Sequence, residues 1–235
     1  MTDNRHLISK WTAEYAKGGI PSSVRETPSG SVVWAVSELK RQGFPLRQTL
    51  DIGCGKGRNS LYLAEQGAHV TALDFTPSAI EHLQTLASEQ NLTPKIRAIV
   101  HDVTEGWPVA PNSMDLIVDA FCFKHIAPHA ARMAYRANLL RSIRQRGHFM
   151  ISFASIGDGY YGQYVVDQNG NEQLAVDPVI GVESVLYKRD AVLEFFAPEL
   201  VLFAEIQNNK PTLMHGTEYK RNTYALLLQR SPHSL

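Results

Sequence analysis

The chain has 235 residues, 44% of them hydrophobic, and its 23 Lys and Arg residues are matched by 23 Asp and Glu residues. This length and apolar content are sufficient for one α/β core, so we expect a single domain. A formal net charge of zero gives no broad electrostatic surface for a polyanion, and we expect neither RNA nor DNA as a partner.

The predicted elements alternate between helix and strand along most of the chain, as a doubly wound α/β fold requires. Residues 1–44 are predicted to form a helical cap, with helices around 7–15 and 29–41. Residues 45–154 are predicted to form the core, in which helices separate five parallel strands. The strands are expected near 48–53, 69–74, 96–101, 114–120 and 147–154, and the helices near 58–66, 77–90 and 128–145.

The regular pattern loosens after the fifth strand. Residues 155–186 are rich in Gly, Asp, Asn, Gln and Tyr, which predicts an inserted lid or hairpin. Residues 187–235 are predicted to form a helix over 188–196 and two final strands over 200–207 and 223–229. The sequence therefore predicts one domain, 1–235, made of a cap, a core, an insertion and a C-terminal segment.

Targeting and redox features predict a cytoplasmic protein. Residues 1–5 lack the apolar run of a signal peptide, and no segment approaches the roughly 20 apolar residues needed to cross a membrane. The two cysteines, Cys54 and Cys122, fit reduced thiols better than a secreted disulfide framework. Metal-ligand spacings such as C-x-x-C and H-E-x-x-H are missing, so we expect no metal.

Residues 49–58, TLDIGCGKGR, place an acid before a glycine-rich turn that opens a helix. Such a turn normally presents backbone N–H groups to a phosphate, but Asp51 would repel a pyrophosphate. Its carboxylate suits a ligand with a cationic amino group, such as the methionine part of S-adenosylmethionine (SAM). The dinucleotide fingerprint needs a third glycine at position 58, where the chain has Arg58, so a nucleotide-dependent oxidoreductase is disfavoured.

Two further acids end the next two predicted strands. Asp74 follows the glycine turn by about twenty residues, where a carboxylate can accept hydrogen bonds from both ribose hydroxyls. Phe75 can cover one face of an adenine, Asp102 can accept from the adenine amino group, and Val103 can pack on the ring. A single acid of this kind is more often a solvated strand end or a helix N-cap. Three acids at the carboxyl ends of parallel strands face one crevice and favour one ligand.

These motifs resemble those of the class I SAM-dependent methyltransferases, from about residue 49 to about residue 229. Residues 58–64 and 67–74, with Trp11 and Tyr15 ahead of the core, are similar to tellurite-resistance-type and thiopurine-type small-molecule methyltransferases. The segments that resemble the first four family motifs are 51–57, 73–75, 101–103 and 114–120.

The resemblance implies a Rossmann-like, mostly parallel seven-stranded sheet whose C-terminal strands pair antiparallel at the edge. It also implies SAM as the cofactor and S-adenosylhomocysteine (SAH) as the product. Trp11 and Tyr15 share a helix face, either as a hydrophobic dock or as a gate in which Tyr15 closes on the methionine carboxylate. The predicted cofactor-binding residues are Tyr15, Asp51, Gly53, Cys54, Gly55, Asn59, Asp74, Phe75, Asp102, Val103 and Asp119.

Methyl transfer asks little of side chains, because the sulfonium is already a strong electrophile and positioning comes first. A base is needed only for an acceptor that is protonated at neutral pH. His125, just beyond the fourth strand, is the leading candidate base, and Tyr161 is the second candidate catalytic residue. Lys124 can orient an anionic acceptor, and Trp11 and Tyr160 are candidate substrate contacts. Structural roles remain open for His125 and for the tyrosines.

The sequence predicts a SAM-dependent methyltransferase that modifies an N, O or S atom of a small molecule by in-line displacement. We expect a monomer or homodimer without a nucleic-acid or membrane partner. The DNA amino-methyltransferase motifs, Asn-Pro-Pro-Tyr and Asp-Pro-Pro-Tyr, are absent after the fourth strand, which disfavours a nucleobase amine. Two alternatives remain: methylation of a macromolecule, either protein or RNA, and non-catalytic binding of SAM or SAH.

Overall fold

The computed structural model describes residues 5–231. The cap has three helices, α1 (Arg5–Lys17), α2 (Pro21–Val24) and α3 (Gly30–Arg41). The prediction about a signal peptide concerns residues 1–5, and positions 1–4 lie outside the described range. Between residues 5 and 231, no helix combines the length and apolar character needed to span a membrane.

The core follows the predicted alternation of strand and helix, with element ends that differ from the predicted ones by a few residues. Its elements are β1 (Gln48–Ile52), α4 (Arg58–Glu65), β2 (His69–Asp74), α5 (Pro77–Glu89), β3 (Ile96–Val100), β4 (Met114–Ala120), α6 (His129–Ser142) and β5 (Ile143–Ala154). A short 3-10 helix, Phe123–His125, follows β4.

The insertion and the C-terminal segment contain more strands than the sequence predicts. The insertion forms a 3-10 helix (Tyr161–Tyr164) and a separate antiparallel sheet, β6 (Val165–Asn169), β7 (Glu172–Val176) and β8 (Glu183–Tyr187). The chain then continues through α7 (Arg189–Phe196), β9 (Leu200–Asn208), β10 (Pro211–Met214), β11 (Thr217–Lys220) and β12 (Thr223–Arg230).

The main sheet has seven strands in the order β3-β2-β1-β4-β5-β12-β9. Strands β1 to β5 run parallel, whereas β12 pairs antiparallel with both β5 and β9. The predicted fold class is therefore confirmed, including the antiparallel pairing near the C-terminal edge. The last strand of the chain lies inside the sheet, and β9 forms the edge.

Helices cover both faces of this sheet, and the alternation of side chains along β4 shows why. Leu116 and Val118 belong to the apolar cluster that includes residues of α3, α4 and α5, while Ile117 belongs to the cluster that includes residues of α6 and α7. All three side chains are fully buried. Each contributes about 1.5–3 kcal/mol relative to exposure, so this alternation fixes which helices pack on each face of the sheet.

A third apolar cluster joins the cap, the insertion and the β10–β11 hairpin through Trp11, Tyr161, Leu186 and Met214. The hairpin turns at His215 (φ 49°) and Gly216 (φ 83°), the positive φ angles of a tight two-residue turn. The sequence does not predict this hairpin, because its strands have four residues each and carry polar side chains. Together these segments form a roof over the carboxyl ends of the parallel strands.

Candidate active site

A cavity of about 1020 Å³ lies between the strand ends and this roof. Gly53, Asp74 and Ala120 line it from the ends of β1, β2 and β4. Trp11 from α1 and Tyr161 from the insertion line it from the other side. The fold therefore brings several residues predicted from separate sequence motifs to one cavity.

The glycine turn after β1 allows very close packing. Gly53 has a φ of 63°, and a Cβ atom there would lie 2.6 Å from Cys122 Sγ. Gly55 has a φ of 54°, and a Cβ atom there would lie 3.0 Å from the Tyr15 hydroxyl oxygen. Only glycine adopts this backbone at such separations without strain, so both glycines hold the turn against Cys122 and Tyr15.

Asp74 is buried at the end of β2 and lines the cavity. Its Oδ2 atom accepts a hydrogen bond from the Gly55 N–H group (2.9 Å), and its Oδ1 atom accepts from the Thr76 N–H group (2.8 Å). Burial raises the pKa of Asp74, and these two hydrogen bonds lower it in part. Each carboxylate oxygen has a second lone pair, so Asp74 can still accept two hydroxyl hydrogens from a ligand.

Phe75, Asp102 and Val103 line the same end of the cavity, together with His101. Asp102 Oδ1 accepts from the backbone N–H group (2.9 Å) and the hydroxyl (2.8 Å) of Thr104. Among the described residues, the buried Nε2 atom of His101 has no hydrogen-bond partner. Such an atom in a cavity wall is costly unless a ligand satisfies it. We call this region, lined by Gly53, Asp74, Phe75, His101, Asp102 and Val103, the acid end.

Two arginines that the sequence analysis does not select also line the cavity, Arg25 and Arg58. Arg58 Nη1 donates to the Thr27 carbonyl (3.3 Å), and burial lowers the pKa of Arg58, with the positive charge of Arg25 lowering it further. Within the described range, no ion pair joins either arginine to a carboxylate. Arg58 is the first residue of α4, where the helix dipole disfavours a cation. This unfavourable placement is the feature of the sequence that points to a functional role for Arg58.

Asp51 lies beneath the turn and is not among the residues that line the cavity. Its Oδ2 atom accepts from the Ser60 hydroxyl (2.6 Å), while Oδ1 is buried without a hydrogen-bond partner. Burial and, to a smaller extent, the carboxylates of Asp119 and Asp74 together raise the pKa of Asp51 to about 7, although the Ser60 hydrogen bond opposes the rise. A cationic group near the turn would relieve this cost, so a cationic ligand group still fits.

Cys54, Gly55, Asn59 and Asp119 are likewise absent from the cavity wall. Asn59 Oδ1 accepts from the Ser29 N–H group (2.8 Å), which ties α4 to the start of α3. Gly55 and Cys54 belong to the turn itself, and Cys54 is buried. The structure thus places these four predicted cofactor residues behind the wall, where they shape it.

Asp119 is fully buried at the end of β4. Its carboxylate accepts from the N–H groups of Cys122 (2.7 Å) and Phe123 (2.9 Å) and from the Tyr135 hydroxyl (2.8 Å). Burial raises the pKa of Asp119 to about 7, and these hydrogen bonds oppose the rise. Asp119 therefore anchors the 3-10 helix that carries Lys124 and His125.

His125 lines the cavity beside Trp11, whose ring it meets edge-on at 5.0 Å between centroids. Its Nδ1 atom lies 2.7 Å from the Glu183 carbonyl oxygen on β8. Because a carbonyl can only accept, Nδ1 carries the hydrogen and the lone pair is on Nε2. Burial and the nearby Lys124 hold the pKa of His125 well below its usual value, so the ring is neutral at pH 7.

Lys124 is 2% exposed and also lines the cavity. Its Nζ atom donates to the Ser184 hydroxyl (2.8 Å) on β8 and lies 3.8 Å from the centre of the Tyr161 ring. Burial lowers the pKa of Lys124 well below its usual value, and the positive charge of Arg221 adds to this effect. Lys124, His125 and Tyr161 define the amine end of the cavity.

The two adjacent tyrosines occupy different positions. Tyr161 lines the cavity, with Lys124 over its ring and Arg221 Cζ 5.2 Å from the ring centre. Tyr160 is buried outside the wall, and its hydroxyl donates to Asp177 Oδ2 (3.0 Å). Tyr160 thus lies outside the cavity wall with its hydroxyl held inside the roof, and its role as a substrate contact stays a prediction.

Residues 49–147 match the family model described as a methyltransferase domain. The 2-heptyl-1-hydroxyquinolin-4(1H)-one methyltransferase of Mycobacteroides abscessus is 27% identical over 154 residues, which are 64% of this chain and 65% of that protein. The "Probable S-adenosyl-L-methionine-dependent methyltransferase TehB" of Haemophilus influenzae is 39% identical over 76 residues, 32% of this chain and 25% of that protein. The matches thus span less than two thirds of either relative.

One similar solved structure is the 1,6-didemethyltoxoflavin-N1-methyltransferase of Burkholderia thailandensis with bound 1,6-didemethyltoxoflavin and SAH. Its TM-score is 0.71 at 20% identity, and the alignment covers 97% of this chain and 88% of that chain. This likeness shows a shared fold. The family match covers the glycine turn and the strands that carry Asp74 and Asp102. Residues 49–147 are therefore similar to a methyltransferase domain, and named methyltransferases are among the similar proteins.

Proposed function

We propose that this protein transfers the methyl group of SAM to a small molecule bound in the same cavity. The observation that carries this proposal is the continuity of the cavity, in which residues of the matched methyltransferase domain line both ends and Tyr161 of the insertion completes the amine end. SAM, when bound, supplies the electrophilic methyl group. The protein supplies binding, orientation and exclusion of water.

The side chains of the acid end fit an adenosine. Asp74 retains acceptor capacity for two ribose hydroxyls, and Asp102 can accept from an adenine amino group. The unpartnered Nε2 atom of His101 offers a further polar contact for the adenine. Phe75 and Val103 supply apolar contact with the ring.

The arginines beside the turn fit the methionine carboxylate of SAM. Arg25 and Arg58 repel each other when the cavity holds no anion, and a carboxylate between them would remove that repulsion. The buried Asp51 carboxylate beneath the turn favours the neighbouring ammonium group. The predicted contact of Tyr15 with this carboxylate stays a prediction.

The partial roof over the cavity favours a small-molecule acceptor. Lys10 Nζ on α1 donates to the Gly181 carbonyl in the insertion (2.5 Å), which joins the two sides above the strand ends. The cavity volume of about 1020 Å³ suits a cofactor with a compact acceptor. Two of the similar proteins are named for heteroaromatic molecules, a hydroxyquinolone and a didemethyltoxoflavin. A macromolecular acceptor is not favoured.

Several sequence predictions remain predictions: the single-domain organisation, the cytoplasmic location, the absence of nucleic-acid partners, the monomeric or homodimeric state and the catalytic roles of His125 and Tyr161. Within residues 5–231, no group of three or more His, Cys, Asp or Glu side chains is placed to hold a metal ion. The absence of a metal requirement is part of the proposal.

Calorimetric titration with SAM, SAH and NADH tests the cofactor assignment. We expect saturable binding of SAM and SAH, no binding of NADH, and loss of SAH binding in Asp74→Ala. Binding of NADH without SAH would overturn the proposal. Incubation with methyl-labelled SAM and 1-hydroxyquinolin-4(1H)-one, followed by a panel of small phenols, thiols and amines, then separates an enzyme from a non-catalytic SAM-binding protein.

A further inference from the structure

Among residues 5–231, the amine of Lys124, buried in the cavity wall, has no counterion. Within the described part of the chain, its partners are the Ser184 hydroxyl and the Tyr161 ring, and no carboxylate lies within ion-pair distance. An ammonium group has three N–H donors, of which this setting satisfies one with an oxygen atom. Burying such a charge unpaired is expensive, so the site favours a neutral amine or an anionic ligand.

The acids nearest to Lys124 are already engaged. Asp158 accepts from Arg221 Nε (2.8 Å) and from the N–H groups of Tyr161 and Asn222 (both 3.0 Å). Asp158 therefore balances Arg221 rather than Lys124.

The carboxylate of Asp177 also accepts hydrogen bonds from groups other than Lys124. Its Oδ2 atom accepts from the Tyr160 hydroxyl (3.0 Å) and lies 3.4 Å from His215 Nε2, while Oδ1 accepts from the Val179 N–H group (2.9 Å). The groups that face Lys124 are thus Arg221, Asp158, Asp177, His125 and Tyr161. None of them supplies an unshared negative charge.

Strand β8 aims two neighbouring nitrogen groups into the cavity. Ser184 holds Lys124 Nζ, and the adjacent Glu183 carbonyl holds His125 Nδ1. A neutral amine and the His125 Nε2 lone pair both accept hydrogen atoms. The amine end therefore suits an acceptor that brings a hydrogen-bond donor able to give up its proton.

We propose that the acceptor carries an acidic hydroxyl group, of the phenol or N-hydroxyheteroarene type, and that Lys124 Nζ takes its proton. The O–H bond breaks, an N–H bond forms on Lys124, and the resulting oxyanion pairs with the new ammonium group. During methyl transfer an O–C bond forms while the C–S bond of SAM breaks, and the electron pair of that bond stays on sulfur in SAH. Because the ether product carries no negative charge, the ammonium group of Lys124 loses its counterion. Lys124 then returns its proton to solvent.

This inference rests on the proposed function and selects a substrate class within it. A carboxylate acceptor also pairs with a cation but brings no proton for the amine to take. A tertiary amine or a thioether brings neither a proton nor an anion. The burial of Lys124 and the absence of a counterion therefore favour the acidic hydroxyl over these classes.

The test uses the SAH-loaded protein and 4-nitrophenol, whose absorbance near 400 nm reports ionisation, with 4-nitroanisole as the matched ligand without a hydroxyl. At a pH where free nitrophenol is mostly protonated, we expect the bound form to be the phenolate. We expect Lys124→Met to abolish the spectral shift and to weaken nitrophenol binding at least about tenfold. We expect 4-nitroanisole to bind the wild type and Lys124→Met with the same weak affinity.

Lys124→Arg separates a proton acceptor from a fixed cation. Arginine is already charged, so binding of the phenolate must release a proton to the buffer, whereas the wild type retains that proton on Lys124. Calorimetry in buffers of different ionisation enthalpy measures this release: about one proton per site in Lys124→Arg and about none in the wild type. His125→Ala keeps the spectral shift if Lys124 is the acceptor.

SAH affinity distinguishes the failures. If SAH does not bind the wild type, the proposed function itself fails. If SAH binds but nitrophenol binds in the protonated form or does not bind, or if the shift survives in Lys124→Met or disappears in His125→Ala, the lysine assignment is wrong. A Lys124→Met protein that retains SAH affinity is folded, so its loss of the shift is not a folding defect.

Discussion

The two ends of the cavity are built in opposite ways. The residues of the acid end lie at or just after the ends of parallel strands. Backbone N–H groups in the turns after β1 and β2 hold the Asp74 carboxylate. The amine end depends on contacts between distant segments, because Lys124 and His125 are held by β8, 60 and 58 residues further along the chain. In the proposed enzyme, sheet topology positions the residues that bind the cofactor, and strand β8 holds Lys124 and His125 beside the acceptor.

The largest effect should come from removing the amine. In Lys124→Met, we expect turnover with a hydroxyl acceptor to fall about 10²- to 10⁴-fold, as loss of a general base does, while SAH affinity changes less than about threefold. Steady-state kinetics and calorimetry measure both. Lys40→Met, at an exposed position on α3, is the matched control. A loss of SAH affinity in Lys124→Met as large as the loss of turnover would contradict the separation of the two ends.

Asp74→Asn should weaken SAH binding about 100-fold. The substitution removes the charge and replaces one acceptor oxygen with a donor, and hydrogen bonds to charged groups contribute about 1.5–3 kcal/mol each. Because the loss falls on the ribose, adenosine should lose affinity to the same extent. A variant that binds adenosine normally would show that Asp74 does not contact the ribose.

Arg58→Met should weaken SAH binding about tenfold without changing adenosine binding, since adenosine has no methionine carboxylate. Arg97→Met is the matched control, because Arg97 is exposed on β3 and donates to the Pro108 carbonyl away from the cavity. Calorimetry with both ligands checks the prediction. Similar losses of affinity for SAH and for adenosine would instead indicate that the substitution disturbs the glycine turn after β1.

Asp51 should make stability fall with rising pH. Its pKa is about 7 in the folded protein and about 4 when unfolded, so the folded state alone holds this proton between those values. Its destabilising contribution therefore grows from about pH 4 to about pH 7 and is complete above that window. Urea denaturation should show that the free energy of unfolding decreases less over this pH range in Asp51→Asn than in the wild type. An identical pH dependence in both proteins would contradict the assignment.

The smallest effect is expected for Tyr15→Phe, with SAH affinity within about threefold of the wild type. The Tyr15 hydroxyl lies over Gly55, and burial raises the pKa of Tyr15 well above its usual value, so it stays neutral. This result leaves a packing role for Tyr15. A loss of more than about tenfold would establish contact with the methionine carboxylate.

The same contrast explains how much the sequence could reveal. The strands, the glycine turn, Asp74 and Asp102 were predictable, because local patterns and the rule that parallel strands share an open end determine them. The burial of Lys124, the role of Arg25 and the β10–β11 hairpin were not predictable, since each depends on long-range packing. Asp51, Asn59 and Asp119 were recognised by motif, but motif alone does not distinguish a wall residue from one that supports the wall.

The most direct test of this division is a paired titration of Asp74→Asn and Lys124→Met. SAH is titrated first, and 4-nitrophenol is then titrated at saturating SAH. We predict that Asp74→Asn loses SAH affinity but still ionises nitrophenol once SAH is saturating, and that Lys124→Met binds SAH normally but leaves nitrophenol protonated. If both variants lost both properties to a similar degree, the two ends would not act separately, and the account would be contradicted.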